Sequence, residues 1–328
     1  NYAQLVEEFI RNDLTGFKRL YLKDREIKNL ILMGDFLTET IFREERQDNI
    51  ITRAEFEKRY ENTVYKTETS LSEEMDIDPE YAALIVPTMV ICKDFMDLFN
   101  AEALWMPGVS LLDGIAYDFG EKKNFIKSAH NFENDILVAA RNIAKRYSTG
   151  KDHIKGTTDL ALAIFDSMKK VHGMGDRERL LLQIAVQLHD CGKYISMGDV
   201  AECSYQIIMA TEIIGLSTEE RQIIANAVRY NTTEFVYYSE IAGEVGMDRS
   251  VYLLIAKLTA ILRIANAMDR SHYQKVKNMK AMLKDRTLLL TVDSEQDISL
   301  ELGLLMDKVE FFEEVFGIRL VFRRKRKV

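Results

Sequence analysis

The sequence predicts a mainly helical protein whose two ends contain short α/β segments. Two observations favour helices: 328 residues include only three prolines and sixteen glycines, and apolar residues recur at helical spacing from about Lys122 to Met279. A third observation predicts the α/β ends, because strand-like apolar runs occur at 26–34 and again after residue 285. An all-α centre between two smaller mixed segments is therefore expected.

Helix and strand alternate in the N-terminal segment. A helical stripe over 1–22 precedes the first strand-like run, an order that implies an α/β unit. Thr52, followed three residues later by a glutamate, is a capping-box signature that opens a further helix. The helical sequence after it is expected to be interrupted at Pro79 and Pro87. A strand, a Pro-Gly turn and a short element ending at Gly120 complete the segment.

The central segment contains six predicted helices separated by turn sequences such as HGMGD and GLST. The last of them, VYLLIAKLTAILRIANAMD, is apolar on most faces and is expected to lie at the centre of the core. Near the C-terminus, the runs RTLLLTVD and IRLVFRR flank one helix and predict a small βαβ-like cap. The predicted central helices are 131–147, 153–171, 177–190, 201–214, 218–229 and 250–269.

Composition excludes several classes of protein. Three cysteines without a CxxC pair disfavour a disulfide framework or a structural zinc site, and they fit a reducing, cytoplasmic location. No apolar run approaches the roughly 20 residues that span a bilayer, and no signal-peptide pattern is present. A net charge of −8 disfavours nucleic-acid binding, and the basic end RRKRKV is interpreted as a solvated tail.

The most informative motif is the adjacent pair His189–Asp190 in LQLHDCGKYI, at the end of an apolar helix. Imidazole and carboxylate are good ligands for a divalent cation, which can acidify a water or polarise a phosphoryl oxygen. His153 begins another predicted helix, and the short HGMGD turn would let the two helices pack side by side. His153 is therefore a candidate third ligand.

A second interpretation of this motif needs no metal. His189 could be a core histidine bonded to a backbone carbonyl, with Asp190 acting at a helix end. Spacing alone does not decide between the two interpretations. His130 and His272 are interpreted as structural or surface residues, and His172 as a cap of the preceding helix.

Several segments together resemble a known family. HGMGDRERLLLQIAVQLHDCGKYI, SYQII, GLSTEE, IANAVRYN and ILRIANAMDRSH resemble, in order, the HD domain of the exopolyphosphatase and guanosine-pentaphosphate phosphatase family. PGVSLLDGIAYDF, upstream, resembles the end of that family's second actin-like domain. The resemblance implies part of an actin-like α/β domain over 1–121, a helical HD-type domain over 122–279 and a small α/β cap over 280–328.

The resemblance also implies an activity. Members hydrolyse the terminal phosphoanhydride of inorganic polyphosphate or guanosine pentaphosphate, with Mg²⁺ and a catalytic glutamate, in a cleft between two actin-like domains. The glutamate and two phosphate loops would precede residue 1, so no catalytic residue is assigned and the chain is interpreted as a fragment. LMGDFLTET at 32–40 keeps only Gly34 of a further glycine-rich loop, where it is a candidate substrate contact beside Asp35 and Phe36.

The sequence departs from the HD pattern at three positions. Glu202 and Asn231 stand where many members have histidines, and Asn266 replaces the aspartate that closes the metal site. A neutral amide oxygen should weaken cation binding. Asp269, one helical turn later, shares a face with Asn266 and is expected to substitute for it. The candidate metal ligands are thus His153, His189, Asp190 and Asp269.

Basic residues beside these motifs are candidate phosphate contacts, namely Lys193, Arg229 and Arg270. The leading hypothesis is the C-terminal part of an exopolyphosphatase-like hydrolase, in which this segment binds polyphosphate or guanosine pentaphosphate and forms a homodimer. One alternative is an HD site that is itself a metal-dependent phosphohydrolase. Another is a non-catalytic module that senses polyphosphate or a nucleotide alarmone.

Overall fold

The computed structural model describes residues 2–22, 25–34, 36, 49–127, 130–241 and 248–325. The chain forms two compact units, an N-terminal unit of residues 1–129 and a C-terminal unit of residues 130–328. Helices dominate both, and each contributes a small sheet of three strands within the described residues. The predicted fold class, mainly α with small mixed segments, is confirmed.

The N-terminal unit packs its helices around a short mixed sheet. In strand order β1-β3-β2, β3 pairs parallel with β1 and antiparallel with β2. Its core includes Ile51 and Leu104 from the sheet with Phe56 and Ile85 from the helices. The elements are α1 (Tyr2–Phe17), β1 (Asn29–Ile31), β2 (Ile50–Thr52), α2 (Arg53–Thr63), α3 (Glu68–Met75), α4 (Pro79–Phe99), β3 (Ala103–Trp105) and α5 (Leu111–Lys122).

Local sequence explains how two helices of this unit begin. The predicted capping box is present: Thr52 Oγ1 accepts a hydrogen bond from Glu55 N, and Thr52 N donates to Glu55 Oε2 at 2.9 Å. Pro79 occupies the first turn of α4, where a missing N–H costs nothing, and Asp78 caps it.

The predicted interruption at Pro87 is wrong. Helix α4 continues through Pro87 to Phe99. An interior proline costs about 3 kcal/mol in a helix, but this helix buries an apolar face that includes Ile85 and Met89. Burial of several such side chains, each worth about 1.5–3 kcal/mol, outweighs the cost of one missing hydrogen bond.

The C-terminal unit is a helical bundle joined to a second sheet. One apolar core runs through its helices and the buried face of β5, where Leu288, Leu290 and Val292 are fully buried. The helices are α6 (Phe132–Arg146), α7 (Lys151–Ser167), α8 (Lys169–His172), α9 (Asp176–Leu188), α10 (Val200–Ala210), α11 (Thr218–Arg229), α12 (Tyr238–Ile241), α13 (Arg249–Ala267) and α14 (Ser299–Phe316).

Helix α13 is the central helix of this unit, as its sequence predicted. It is long and apolar enough to meet a length and composition test for a membrane span, with a mean hydropathy of 1.4. However, 67% of that stretch is buried within the protein. Twelve of its residues, from Ile255 to Ala267, are buried. Its apolar character is therefore explained by core packing.

The second sheet has the order β4-β5-β6, with β4 (Asn278–Lys284) antiparallel and β6 (Arg319–Arg324) parallel to β5 (Thr287–Asp293). The predicted β5-α14-β6 unit is confirmed. Strand β4 was not predicted, because its sequence NMKAMLK contains residues that favour helices. Pairing with all seven residues of β5 makes this segment a strand instead.

Candidate functional site

His189 and Asp190 lie where α9 ends and a 3₁₀ turn (Cys191–Tyr194) begins. Gly192 in this turn touches α10 so closely that a Cβ atom would lie 2.3 Å from Val200 O and 2.5 Å from Ser204 N. Ser204 Oγ accepts a hydrogen bond from Gly192 N at 2.8 Å and donates to His189 O at 3.3 Å. The His–Asp pair is thus fixed against α10 by a glycine and a serine.

Helix α7 brings His153 to this pair. His153 Nε2 lies 3.1 Å from His189 Nε2 and 4.0 Å from Asp190 Oδ2, and His189 Nε2 lies 3.6 Å from Asp190 Oδ1. Both histidines are buried, at 2% and 3% exposure. The expected approach of His153 to His189–Asp190 is therefore present.

The hydrogen bonds of the two Nδ1 atoms fix the tautomers of His153 and His189. His189 Nδ1 lies 2.7 Å from Val186 O, and His153 Nδ1 lies 2.7 Å from Asp269 Oδ2. A carbonyl and an ionised carboxylate only accept hydrogen bonds, so Nδ1 carries the hydrogen in both rings. In the neutral form of each ring, the lone pairs of both Nε2 atoms consequently face one another across 3.1 Å.

Asp269 has a different position from the one expected of a replacement ligand. Its carboxylate accepts from His153 Nδ1, on the side of the ring away from His189, and from Gln274 N at 2.8 Å and Gln274 Nε2 at 3.2 Å. Asp269 therefore orients the His153 ring. That Asp269 itself binds a cation stays a prediction, and the nearby Asn266 is also buried.

His272 is the residue that the sequence analysis missed. Its ring stacks on that of His153, with centroids 3.7 Å apart and planes at 8°, and its Nε2 lies 3.9 Å from Asp190 Oδ2. The interpretation of His272 as a structural or surface residue overlooked its place three residues after Asp269. Helix α13 ends at Ala267, and the short segment that follows it places the His272 imidazole in the same cluster as Asp269.

The pKa shifts in the cluster favour neutral imidazoles at His189 and His272 and an ionised carboxylate at Asp190. Burial lowers the pKa of His189, although Asp190 acts in the opposite direction. Burial also lowers the pKa of His272 to about 4, with a further contribution from His153. Burial would raise the pKa of Asp190, but His189 and a 2.5 Å contact from Lys193 Nζ keep it below its usual value.

A comparison with known families now identifies the chain. The model of the Ppx/GppA phosphatase family, domain III, matches residues 138–310, which is more than half of the 328 residues. The chain belongs to the Ppx/GppA phosphatase family. It is a member of the exopolyphosphatase and guanosine-pentaphosphatase type, so the resemblance seen in the sequence is confirmed. A search of curated proteins finds no match.

The matched Ppx/GppA domain III contains every residue of the cluster. Ligand atoms of His153, Asp190 and His272 all lie within 4.8 Å of one another, and His189 adjoins them. Nitrogen ligands of a tetrahedral zinc ion lie at about 2.0–2.1 Å from it and hence roughly 3.4 Å apart. These residues fit a divalent cation with small movements of the side chains.

The remaining predicted residues of this Ppx/GppA chain have other positions. Arg229 Nη2 pairs with Glu202 Oε2 at 2.9 Å, and its guanidinium lies over the Tyr205 ring. Arg270 is exposed. Asn231 is buried, and its Oδ1 has no hydrogen-bond partner in the described part of the chain.

Parts of two segments singled out in the sequence, the loop at 32–40 and the basic end, lie outside the described residues. In the loop at 32–40, Gly34 has a φ of 144°, which suits glycine, whereas Asp35 and 37–40 are not among the described residues. The last three residues of the basic end, 326–328, are outside as well.

The other histidines agree with their predicted roles. His172 Nε2 lies 3.0 Å from Phe165 O, and its Nδ1 accepts from Met174 N at 2.9 Å, so His172 stabilises the end of α7. His130 is exposed and pairs with Asp135 at 2.5 Å.

Proposed function

We propose that domain III of this protein is a metal-dependent phosphohydrolase domain whose cation is held by His153, His189, Asp190 and His272. The observation that carries this proposal is the pair of buried Nε2 lone pairs 3.1 Å apart beside a carboxylate. Two lone pairs so close require a proton or a cation between them. Because burial disfavours the imidazolium form of His189, a metal cation is the better occupant.

The ligand set favours a transition metal over Mg²⁺. Imidazole nitrogens suit zinc, copper, iron and nickel, while Mg²⁺ prefers an all-oxygen set with bound waters. A bound ion would polarise a phosphoryl oxygen or lower the pKa of a water, which is the chemistry of phosphate hydrolysis. The Mg²⁺ implied by the family belongs to the cleft between actin-like domains and not to this cluster.

Residues around the cluster have distinct tasks in this proposal. Asp269 and Val186 O hold the two buried imidazoles with their Nε2 atoms inward. Lys193, 30% exposed at its side chain, offsets the charge of Asp190 and can contact a phosphate oxygen as a point charge. Arg270, which is exposed beside Asp269, would contact a longer polyphosphate chain or the phosphates of guanosine pentaphosphate.

Metal analysis tests the proposal. Protein purified without chelator should contain close to one transition-metal ion per chain, and His153→Ala should lose it. Asp269→Asn should keep the fold but weaken metal binding about 10–100-fold, because it removes an orienting carboxylate. His130→Ala, a change of an exposed histidine outside the cluster, should keep the metal. The proposal is wrong if the wild-type protein holds no metal and is not stabilised thermally by added Mn²⁺ or Zn²⁺.

A second candidate function is binding of a polyanion without turnover, favoured by the positions of Lys193 and Arg270. Phosphate release from polyphosphate, guanosine pentaphosphate and p-nitrophenyl phosphate separates the two candidates. Release that depends on His153 supports hydrolysis at the cluster. Calorimetric binding of polyphosphate that survives His153→Ala but is lost in the Lys193→Gln, Arg270→Gln double variant supports binding alone.

A further inference from the structure

A cavity of the C-terminal unit, about 900 Å³ in volume, lies between α10, α11 and the start of α13. Its described lining includes no residue of the His–Asp cluster. Pockets of this size accommodate ligands of small-molecule dimensions. The acidic residues of the lining are Asp199, Glu202, Glu219, Glu234 and Asp248.

The charge of this cavity is strongly negative. Against five carboxylates, its described lining has a single cationic side chain, Arg229, which is already paired with Glu202. Hydrogen bonds from Ser250 keep the pKa of Asp248 below its usual value, so this carboxylate is ionised at neutral pH. Glu219 and Glu234 are exposed. A phosphate chain would be repelled here, and a cation attracted.

Aromatic rings and one amide add directional contacts for a cation. The guanidinium of Arg229 lies 5.2 Å from the centre of the Tyr205 ring, so this ring already accepts a cation on one face. Tyr230 contributes a second ring to the lining. Asn226 is only 9% exposed and uses its Nδ2 to bond Gln222 O at 2.8 Å. Its Oδ1 has no hydrogen-bond partner among the described residues and can accept an N–H from a ligand.

The spacing of the carboxylates distinguishes between kinds of cation. Within the described residues, only His153, Asp190 and His272 bring three metal-ligating side chains within 4.8 Å of one another. No three acidic groups in the described lining of this cavity therefore lie close enough, as they are placed, to form a preassembled metal site. A ligand with several separated positive charges can satisfy them, and its methylene groups can cover Val236, Val251 and Ala201.

We propose that this cavity binds a linear oligoamine, a small flexible molecule with two or more ammonium groups joined by methylene chains. Glu219 and Glu234 pair with its ammonium groups, Asn226 Oδ1 accepts one of its N–H donors, and Tyr205 and Tyr230 contact its carbon chain. The site is separate from the metal-dependent site proposed above.

The probe that tests this proposal is spermidine, a linear triamine, titrated calorimetrically into the full chain at low salt. The wild-type protein should bind one spermidine. The Glu219→Gln, Glu234→Gln double variant should bind about tenfold more weakly, equivalent to roughly 1.4 kcal/mol. The matched control, Glu133→Gln with Glu310→Gln, removes the same charge from exposed positions outside the cavity and should bind as the wild type does.

A further variant, Arg229→Gln, should strengthen spermidine binding instead of weakening it. Removing this cation frees Glu202 and the Tyr205 face, so spermidine should bind several-fold more tightly, provided that circular dichroism shows the helices intact. A polyanion site would respond in the reverse way, with triphosphate binding lost in the same variant. Three outcomes would each overturn the proposal. The first is a wild-type protein that does not bind spermidine, and the second is an equal loss of affinity in the double variant and its control. The third outcome is triphosphate binding that requires Arg229.

Discussion

Each of the two units buries a charged side chain, Arg263 in the C-terminal unit and Asp94 in the N-terminal unit, and the surroundings of the two side chains differ. In the C-terminal unit, Arg263 is 8% exposed and donates to Tyr230 O and Thr233 O at 2.7 and 2.6 Å. In the N-terminal unit, Asp94 is 6% exposed, and its Oδ2 has no hydrogen-bond partner in the described part of the chain. A buried polar group stabilises a fold only when its bonds are satisfied, so Arg263 is expected to stabilise its unit and Asp94 to destabilise its own.

Individual helices of the two units also differ in how much of their apolar surface is buried. The C-terminal unit buries the whole second half of its longest helix, α13. Helix α5 of the N-terminal unit leaves Leu111 77% and Leu112 72% exposed, and Phe9 on α1 is 80% exposed. The larger core is the one that carries the His–Asp cluster. Fixed positions for buried histidines require dense packing around them.

The largest effect is expected from Gly192→Ala in the turn behind His189. The new methyl would meet backbone atoms of α10 at 2.3 and 2.5 Å, and should lower the free energy of unfolding of the C-terminal unit by about 3 kcal/mol or more. Gly156→Ala on α7 is the control, since its Cβ would have only ordinary contacts at 3.6 and 3.9 Å. Urea unfolding followed by circular dichroism measures both.

Arg263→Met tests whether the polar core of the C-terminal unit depends on satisfied bonds. The carbonyls of Tyr230 and Thr233 lose their donor, and the guanidinium no longer covers the Phe311 ring at 4.5 Å. The expected loss is about 2–3 kcal/mol. Arg249→Met, at the exposed start of the same helix, should change stability by less than about 0.5 kcal/mol. Equal losses in both variants would show that the two hydrogen bonds of Arg263 do not stabilise the C-terminal unit.

Asp94→Asn should raise the stability of the N-terminal unit, whereas Arg263→Met lowers that of the C-terminal unit. Burial, with Glu7 adding to it, raises the pKa of Asp94, so the folded state holds its proton more tightly than the unfolded state. Stability is then lost as pH rises from the unfolded pKa of about 3.9 through the folded value. At pH 7 the neutral amide should stabilise this unit by about 1 kcal/mol.

The single tryptophan of the chain, Trp105 on β3, reports the unfolding of the N-terminal unit by its fluorescence. The stabilising effect of Asp94→Asn should shrink as the pH is lowered towards 4. If the variant is instead less stable than the wild type at pH 7, Asp94 has a favourable partner after all.

The smallest effect is expected from Glu220→Gln in the C-terminal unit. Arg177 bonds both oxygens of Glu220, at 2.6 and 2.8 Å, and lowers the pKa of this carboxyl against the effect of burial. This contribution is present above the unfolded pKa of about 4.3 and is lost as pH falls through the depressed folded value. The variant should lose up to about 1 kcal/mol at pH 7 and nothing near pH 3, measured by urea unfolding.

Local signals in the sequence were sufficient for much of the fold. Thr52 with Glu55 predicted a capping box, the apolar faces of α13 predicted its burial, and the spacing of β5, α14 and β6 predicted their connection. The predictions failed where neighbours outweigh local preference. Pro87 lies inside a helix because α4 is packed, and β4 is a strand because β5 pairs with it.

The sequence by itself determined where most helices form, that the chain carries the motifs of its family, and that His153 could reach His189–Asp190. Only the tertiary structure decided which atoms meet: His153 bonds Asp269 across 116 positions, and His272 joins the cluster from beyond the end of α13. Periodicity and capping act over a few residues, within one element. Contacts between distant elements depend on how whole helices pack, and no local pattern encodes the tautomers or the orientation of the buried rings.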